Sequence, residues 1–302
     1  MTENKKMKIV IGLPAFNEEK NIGKIIAQLL DKSYSVIVCN DGSSDSTGII
    51  AEKMGAIIIN HKKNLGYGAA IGSIFRKARD EKFDILVTFD SDGQHRISDI
   101  EKMIEPIQNK TADIVIGSRF TEDGKADMPR YRKMGIKVIT NLVNSQTGKN
   151  ITDSQSGFRS YSSEVLSKMN LSENGMGVST EILIKANKQK LKIIEIPITI
   201  LYEGETSTHH PISHGTSVVL STMKFISIEH PLKFYGIPGI GFFLIGLFFA
   251  IWTIQEFTTT GRIITNISLI GVGSIIFGMI LTMTSIMPVS YTHLTLPTNR
   301  EV

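Results

Sequence analysis

From residue 7 to residue 120, short apolar runs alternate with longer stretches in which apolar positions recur every three or four residues. The runs KIVIGL (8–13), SVIVC (35–39), AIIIN (56–60), DILVTFD (84–90) and DIVIG (113–117) lack a polar alternation and read as strands buried on both faces. Between them NIGKIIAQLLDK (21–32), STGIIAEKM (46–54), GAAIGSIFRKARD (68–80) and ISDIEKMIEPIQ (97–108) read as amphipathic helices. This rhythm predicts βαβ units and a mostly parallel sheet, and such sheets bind ligands beyond the carboxyl ends of their strands.

Every predicted strand runs into a polar segment: PAFNEE (14–19), NDGSSDST (40–47), NLGYGAA (64–70), DSDGQH (90–95) and GSRF (117–120). Singly these are also turn and cap residues, with Asp45 or Ser46 suited to a helix N-cap and Gly42 to a turn. Together they form one polar rim. Gly66 and Gly68 supply two positions of the dinucleotide fingerprint GxGxxG, but the third falls on Ile71 and the loop follows the third strand, which argues against hydride transfer. In DILVTFDSDGQH, Asp90 and Asp92 stand two residues apart at the end of an apolar run. On a strand such residues face the same way, and two carboxylates held together call for a cation between them. Hard oxygen donors suit Mg²⁺ or Mn²⁺.

Near residue 234 the pattern changes. Residues 234–254 and 267–287 are each 21 positions without a charge, and about 20 apolar residues suffice to cross a bilayer as a helix. A link with Glu256 and Arg262 joins them, predicting a hairpin. Lys224 and Lys233 precede the first span, so the positive-inside bias places the large domain in the cytoplasm. Residues 215–230 read equally as an interfacial or a core helix. YTHLTLPTNREV (291–302) has neither periodicity and reads as a disordered tail or as sequence foreign to the protein. The expected division is therefore a catalytic domain over 1–214, a linker over 215–233, two membrane helices over 234–288 and a tail over 289–302.

Composition adds limits. With 33 Lys+Arg against 29 Asp+Glu the chain is too weakly basic to argue for nucleic acid. One cysteine, Cys39, excludes an internal disulfide. The charged start, MTENKKMKIVIGLPAFNEE, reads as a polar lead into a strand and not as a signal peptide.

Taken in order, PAFNEE, NDGSSDST, NLGYGAA, DSDGQH, GSRF and the later DSQSGFR (153–159) resemble the family 2 glycosyltransferases of the dolichyl-phosphate mannose synthase type, over roughly residues 7 to 203. The resemblance implies an α/β GT-A fold, Rossmann-like with a mostly parallel sheet, plus a C-terminal two-helix transmembrane hairpin. It implies inverting transfer of a sugar from a GDP- or UDP-linked nucleotide-sugar donor to a polyprenyl (dolichyl) phosphate at the cytoplasmic face of the cell membrane. Pro14, Phe16, Glu18 and Asp41 would hold the nucleoside; Asp90, Asp92 and Gln94 would serve the metal, Mg²⁺ or Mn²⁺, and the diphosphate. A lipid phosphate is already anionic, so cations and not a general base are needed to position it. Arg119, Arg132 and Arg159 are candidates because guanidinium binds phosphate bidentately, with the resemblance favouring Arg119 and Arg132. Arg130, Lys133, His209, His210 and His214 compete. Phe16 stands where the family more often has Tyr, and 203–214 lacks the basic residues of the mannose synthases, which leaves the sugar open. Two other classes are weighed. A processive polysaccharide synthase calls for a Gln-x-x-Arg-Trp motif, yet the one tryptophan, Trp252, lies in the first span; a non-catalytic membrane subunit would not need Asp90 and Asp92.

Overall fold

The computed structural model describes residues 7–91, 95–121, 130–199, 227 and 231–294, side chains of 130–132 and 287–294 excepted. It divides into two units, Met1–Thr222 and Met223–Val302.

In the first unit seven strands form one sheet in the order β3-β2-β1-β4-β6-β5-β7. They are β1 (Ile9–Ala15), β2 (Ser35–Asn40), β3 (Ile57–Asn60), β4 (Ile85–Thr88), β5 (Ile114–Ser118), β6 (Arg159–Ser162) and β7 (Ile193–Pro197). The helices are α1 (Ile22–Asp31), α2 (Thr47–Lys53), α3 (Tyr67–Asp80), α4 (Ile100–Gln108), α5 (Arg130–Thr147), α6 (Ser163–Lys168) and α7 (Val178–Lys188). Alternate strand residues feed two cores. Val10, Ile37 and Leu86 pack with Ile74 and Phe75 of α3 on one face, while Ile11, Val38 and Val87 pack with Ile26 and Leu29 of α1 on the other.

Three features differ from the sequence reading. β3 is only half-buried, because it is the edge strand beyond β2. β4 ends at Thr88, so Asp90 lies past the strand and the two-residue spacing of Asp90 and Asp92 does not impose a common strand face. Finally, β6 runs antiparallel between β4 and β5, with Leu86 opposite Tyr161 and Val115 opposite Ser160. Its sequence, RSYS, carries no apolar run, so nothing in its pattern announced a strand.

The second unit holds α8 (Ile237–Thr260) and α9 (Thr265–Leu294). Leu232–Thr260 and Thr265–Ile286, with mean hydropathies of 2.1 and 2.0, are long and apolar enough to cross a membrane. The pair is antiparallel and packed through glycines. A Cβ added at Gly239 would lie 2.9 Å from the Thr282 backbone nitrogen, and one at Gly246 would lie 2.7 Å from that of Ile275. Small residues that let helix backbones approach are what association in lipid requires. Helix α9 runs on to Leu294, into the stretch expected to be irregular; residues 295–302 of that expected tail lie outside the described residues.

Candidate active site

The loops after β1, β2 and β4 are tied into one surface. Ser91 Oγ donates to the Pro14 carbonyl at 2.8 Å. The Asn17 and Glu18 amides donate to Ser43 Oγ at 3.0 Å and Thr47 Oγ1 at 2.8 Å, and the Ser44 amide returns a bond to Asn17 Oδ1 at 2.9 Å. Glu19 and Asp45 exchange bonds with each other's loop, the Ser46 amide reaching Glu19 Oε2 at 3.1 Å and the Glu19 amide reaching Asp45 Oδ2 at 3.2 Å. Pro14 is buried on this surface, while Phe16 and Glu18 are half-buried.

Asp41, at the end of β2, is buried, and its carboxylate is engaged on both oxygens. Oδ1 accepts from the Leu65 amide at 3.0 Å and lies 2.6 Å from His61 Nδ1; Oδ2 accepts from the Gly66 amide at 2.8 Å. His61 Nε2 in turn meets Ser73 Oγ at 2.9 Å, which accepts from Arg76 Nη2 at 2.8 Å. A carboxylate only accepts, so His61 Nδ1 carries a proton and donates it to Asp41. Asp41 thus holds the glycine loop in place. Those glycines are required where they stand: Gly66 has φ of +102°, and a Cβ at Gly68 would run into the Glu173 carbonyl oxygen and lie 2.6 Å from that of Gly175. Because the opposing atoms are backbone, Gly68→Ala is expected to destabilise the unit by about 1–3 kcal/mol, the usual range for overpacking. Denaturant unfolding checks this; an unchanged midpoint would mean that the loop over 173–175 moves freely.

Asp90 lies where β4 gives way to the loop. Its Oδ1 accepts from Tyr67 Oη at 3.3 Å, and His95 Nε2 donates to its Oδ2 at 3.2 Å. Burial pushes this carboxyl up, but the bonds from His95 and Tyr67 and the charge of Arg119 outweigh it and hold the group below its usual range. It is therefore a carboxylate at neutral pH. Gly157, just before β6, closes over it, and a Cβ there would lie 2.7 Å from both Asp90 oxygens and from Tyr67 Oη. The Thr88 hydroxyl fixes that turn by donating to the Gly157 carbonyl at 2.7 Å. An ionised oxygen donor in a cradle that only glycine fits suits a hard divalent cation. Asp92 and Gln94, the other expected ligands, lie outside the described residues, among which no three His, Cys, Asp or Glu side chains cluster as a metal site.

Arg119 follows β5 and is buried against Asp153, Nε to Oδ2 at 2.6 Å and Nη2 to Oδ1 at 2.8 Å. Its bidentate edge, expected on a phosphate, faces a carboxylate of the protein. Arg119 still lines a cleft of about 490 Å³ with Phe120, Lys133, Lys137, Asn141 and Thr152. The Phe120 ring has the Arg119 guanidinium 5.6 Å and the Lys133 ammonium 5.8 Å from its centroid. Arg159 corrects an expectation. It is 1% exposed, and its three nitrogens donate to the carbonyls of Ser156, Ser179 and Ser154 at 2.8, 3.0 and 2.7 Å, so it braces the 154–157 turn and does not reach a ligand. Arg130 and Arg132 begin α5, but their side chains lie outside the description, as do His209, His210, His214 and the helix considered over 215–230, apart from Ser227.

Sequence reasoning gave no role to His95, Tyr67, His61 or Asp153. The first sits inside DSDGQH and the last inside DSQSGFR, so both were in view as motif letters; only the fold shows that Asp153 faces Arg119 across 34 residues.

Against known proteins, the family model for glycosyl transferase family 2 matches residues 10–169. An uncharacterised protein of Methanocaldococcus jannaschii is 37% identical, over 72% of this chain and 90% of its own. The UDP-N-acetylglucosamine–dolichyl-phosphate N-acetylglucosaminyltransferase of Methanococcus voltae is 34% identical, over 72% of this chain and 93% of its own. Among solved structures, glucosyl-3-phosphoglycerate synthase of Mycobacterium tuberculosis, in complex with Mn²⁺, UDP and glucosyl-3-phosphoglycerate, superposes with a TM-score of 0.57 at 19% identity, over 72% of this chain and 80% of its own. The fold is thus GT-A, and with a family model that spans more than half its length the chain belongs to glycosyl transferase family 2, as a glycosyltransferase.

Proposed function

We propose that this glycosyltransferase moves a sugar from a UDP- or GDP-linked donor to a polyprenyl phosphate, with inversion, at the cytoplasmic face of the membrane that its C-terminal helices cross. The observation that carries the reading is the ionised Asp90 under Gly157, at the carboxyl end of the sheet. Names of relatives support the acceptor, since the Methanococcus voltae protein acts on dolichyl phosphate. Asp90, Asp92 and Gln94 would hold Mg²⁺ or Mn²⁺, which when bound neutralises the charge that grows on the departing diphosphate. Pro14, Phe16, Glu18 and Asp41 border the nucleoside's place, with Asp41 acting through the 64–66 loop that it anchors. Since the acceptor phosphate is already an anion, the task left to the protein is to place it, by the charge of Lys133 and Lys137 in the cleft beside Arg119 and by Arg132 at the start of α5.

The test is the full chain in bilayers with a panel of labelled UDP- and GDP-sugars, followed for label in a polyprenyl phosphate and for release of nucleoside diphosphate. Transfer should need Mg²⁺ or Mn²⁺. Label appearing only on a soluble phosphorylated acceptor, or transfer indifferent to chelation, would sink the reading. Within it, Arg132→Ala should lower kcat/KM for the lipid acceptor by about 10- to 100-fold, the loss of one charge-assisted contact. Donor affinity, titrated without acceptor, should barely change, and Arg132→Lys should restore only part, because an ammonium lacks the fork. Collapsed donor binding would move Arg132 to the diphosphate.

A further inference from the structure

The segment between α6 and α7, LSENGMG (171–177), contains the one Asn–Gly pair of the chain, Asn174–Gly175. Its backbone is fastened by Glu181 of α7, which is fully buried and accepts from the amides of Ser172 and Glu173, each at 2.9 Å. The carbonyls of 173–175 close around the glycine loop. The Asn174 oxygen accepts from the Ala69 amide at 3.2 Å, satisfying a donor in the first turn of α3 that has no partner within the helix, and a Cβ at Gly66 would run into the same oxygen. Asn174 itself is exposed, and the Gly175 amide donates to Glu173 Oε1 at 3.0 Å. That separation is within the reach at which a base takes a proton. Glycine has no Cβ to hinder the approach of its nitrogen to the side chain before it. An exposed side-chain amide, an unhindered backbone nitrogen next to it and a carboxylate on that nitrogen's proton are the parts of an intramolecular acyl transfer.

We propose that Asn174 is a site of self-modification with Glu173 as its base. Glu173 takes the Gly175 amide proton, the nitrogen attacks Asn174 Cγ, and a cyclic imide forms as the C–N bond of the side-chain amide breaks. The proton passes from Glu173 to the departing nitrogen, which leaves as ammonia. Water then opens the ring. Attack at Cγ gives aspartate, whereas attack at the backbone carbonyl carbon gives isoaspartate, in which the chain runs through the side-chain methylene and the former backbone carbonyl becomes a free carboxylate. The oxygen that met the Ala69 amide then no longer belongs to the backbone, so the glycine loop that Asp41 anchors on one side is released on the other. The chemistry rests on this geometry alone; only its effect on donor binding rests on the function proposed above.

The test keeps the full chain in bilayers, warm and at mildly alkaline pH, and follows the peptide that contains residue 174 over time by mass spectrometry able to separate asparagine, aspartate and isoaspartate. Conversion at 174 should appear in the folded protein, with isoaspartate among the products. Glu173→Gln keeps an acceptor for the Gly175 amide but cannot take its proton, and should slow conversion about a hundredfold, the low end of what a positioned base contributes. In urea, where the geometry is gone, that variant and the parent should convert alike. Asn174→Gln, whose ring closure would be larger and slower, should stay unconverted. Affinity for a nucleoside diphosphate, titrated with Mn²⁺, should fall severalfold as isoaspartate accumulates in the parent and hold steady in Asn174→Gln. Conversion of the parent only after unfolding, or equal rates in the folded parent and Glu173→Gln, would overturn the proposal. Isoaspartate without loss of nucleotide affinity would overturn its link to the glycine loop. Should the fresh parent bind no nucleotide, the function proposed above fails, while the mass reading decides the chemistry at Asn174 by itself.

Discussion

Gly157→Ala is expected to lower kcat/KM by about a hundred- to a thousandfold, the scale on which misplacing one preorganised electrostatic group acts, while leaving the fold close to intact. The new methyl would lie 2.7 Å from each Asp90 carboxylate oxygen and from Tyr67 Oη. All three atoms end side chains and can swing away, so the backbone need not move. What gives instead is the position of the carboxylate. Mn²⁺ affinity, followed by the metal's paramagnetic resonance with and without nucleoside diphosphate, should fall alongside transfer. An alanine variant with ordinary turnover and metal affinity would mean that Asp90 has room that the structure does not show, and the cradle would lose its meaning.

Asp153→Ala is the corresponding expectation for stability. Asp153 is fully buried, and the Arg119 side chain it holds is 10% exposed. Removing one partner of a buried ion pair destabilises by about 3–5 kcal/mol, because the other charge stays behind in a site built for two. The one tryptophan, Trp252, lies in α8 and does not report on the sheet, so pulse proteolysis of the full chain in bilayers is the suitable readout. Replacing both partners by apolar residues of similar volume should regain much of the loss, as buried pairs elsewhere do. Transfer should stay impaired in that double variant, since the cleft would lack Arg119. A stable Asp153→Ala would show that Arg119 finds water or another acceptor.

The parallel half of the sheet was legible because β1, β2, β4 and β5 are apolar runs between amphipathic helices, and a period is a local property. Asp90 stood out as a candidate by its place after such a run. A strand face shared with Asp92 does not account for it, since the ladder stops at Thr88. β6 was not legible: Arg159 looks like a ligand-binding cation and is instead a brace for three carbonyls. No pattern distinguishes those roles, because the difference lies in which carbonyls the fold brings within reach. Asp153 and His61 were hidden for the same reason; each meets its partner only after the chain has crossed the sheet.

The reversed insertion of β6 also sets an order of events during synthesis. β1 to β4 and their helices are the part of the sheet that can form once roughly the first ninety residues have left the ribosome. β4 then has one neighbour, β1, and its other edge waits for Arg159, 71 residues after Thr88. Until that segment arrives the nascent chain carries an open apolar edge, ILVT, of the kind that pairs with other chains. The same arrival brings Gly157 over Asp90, so the edge is sealed and the cradle closed in one step. Slow decoding or a pause anywhere between β4 and β6 would lengthen the interval in which aggregation competes.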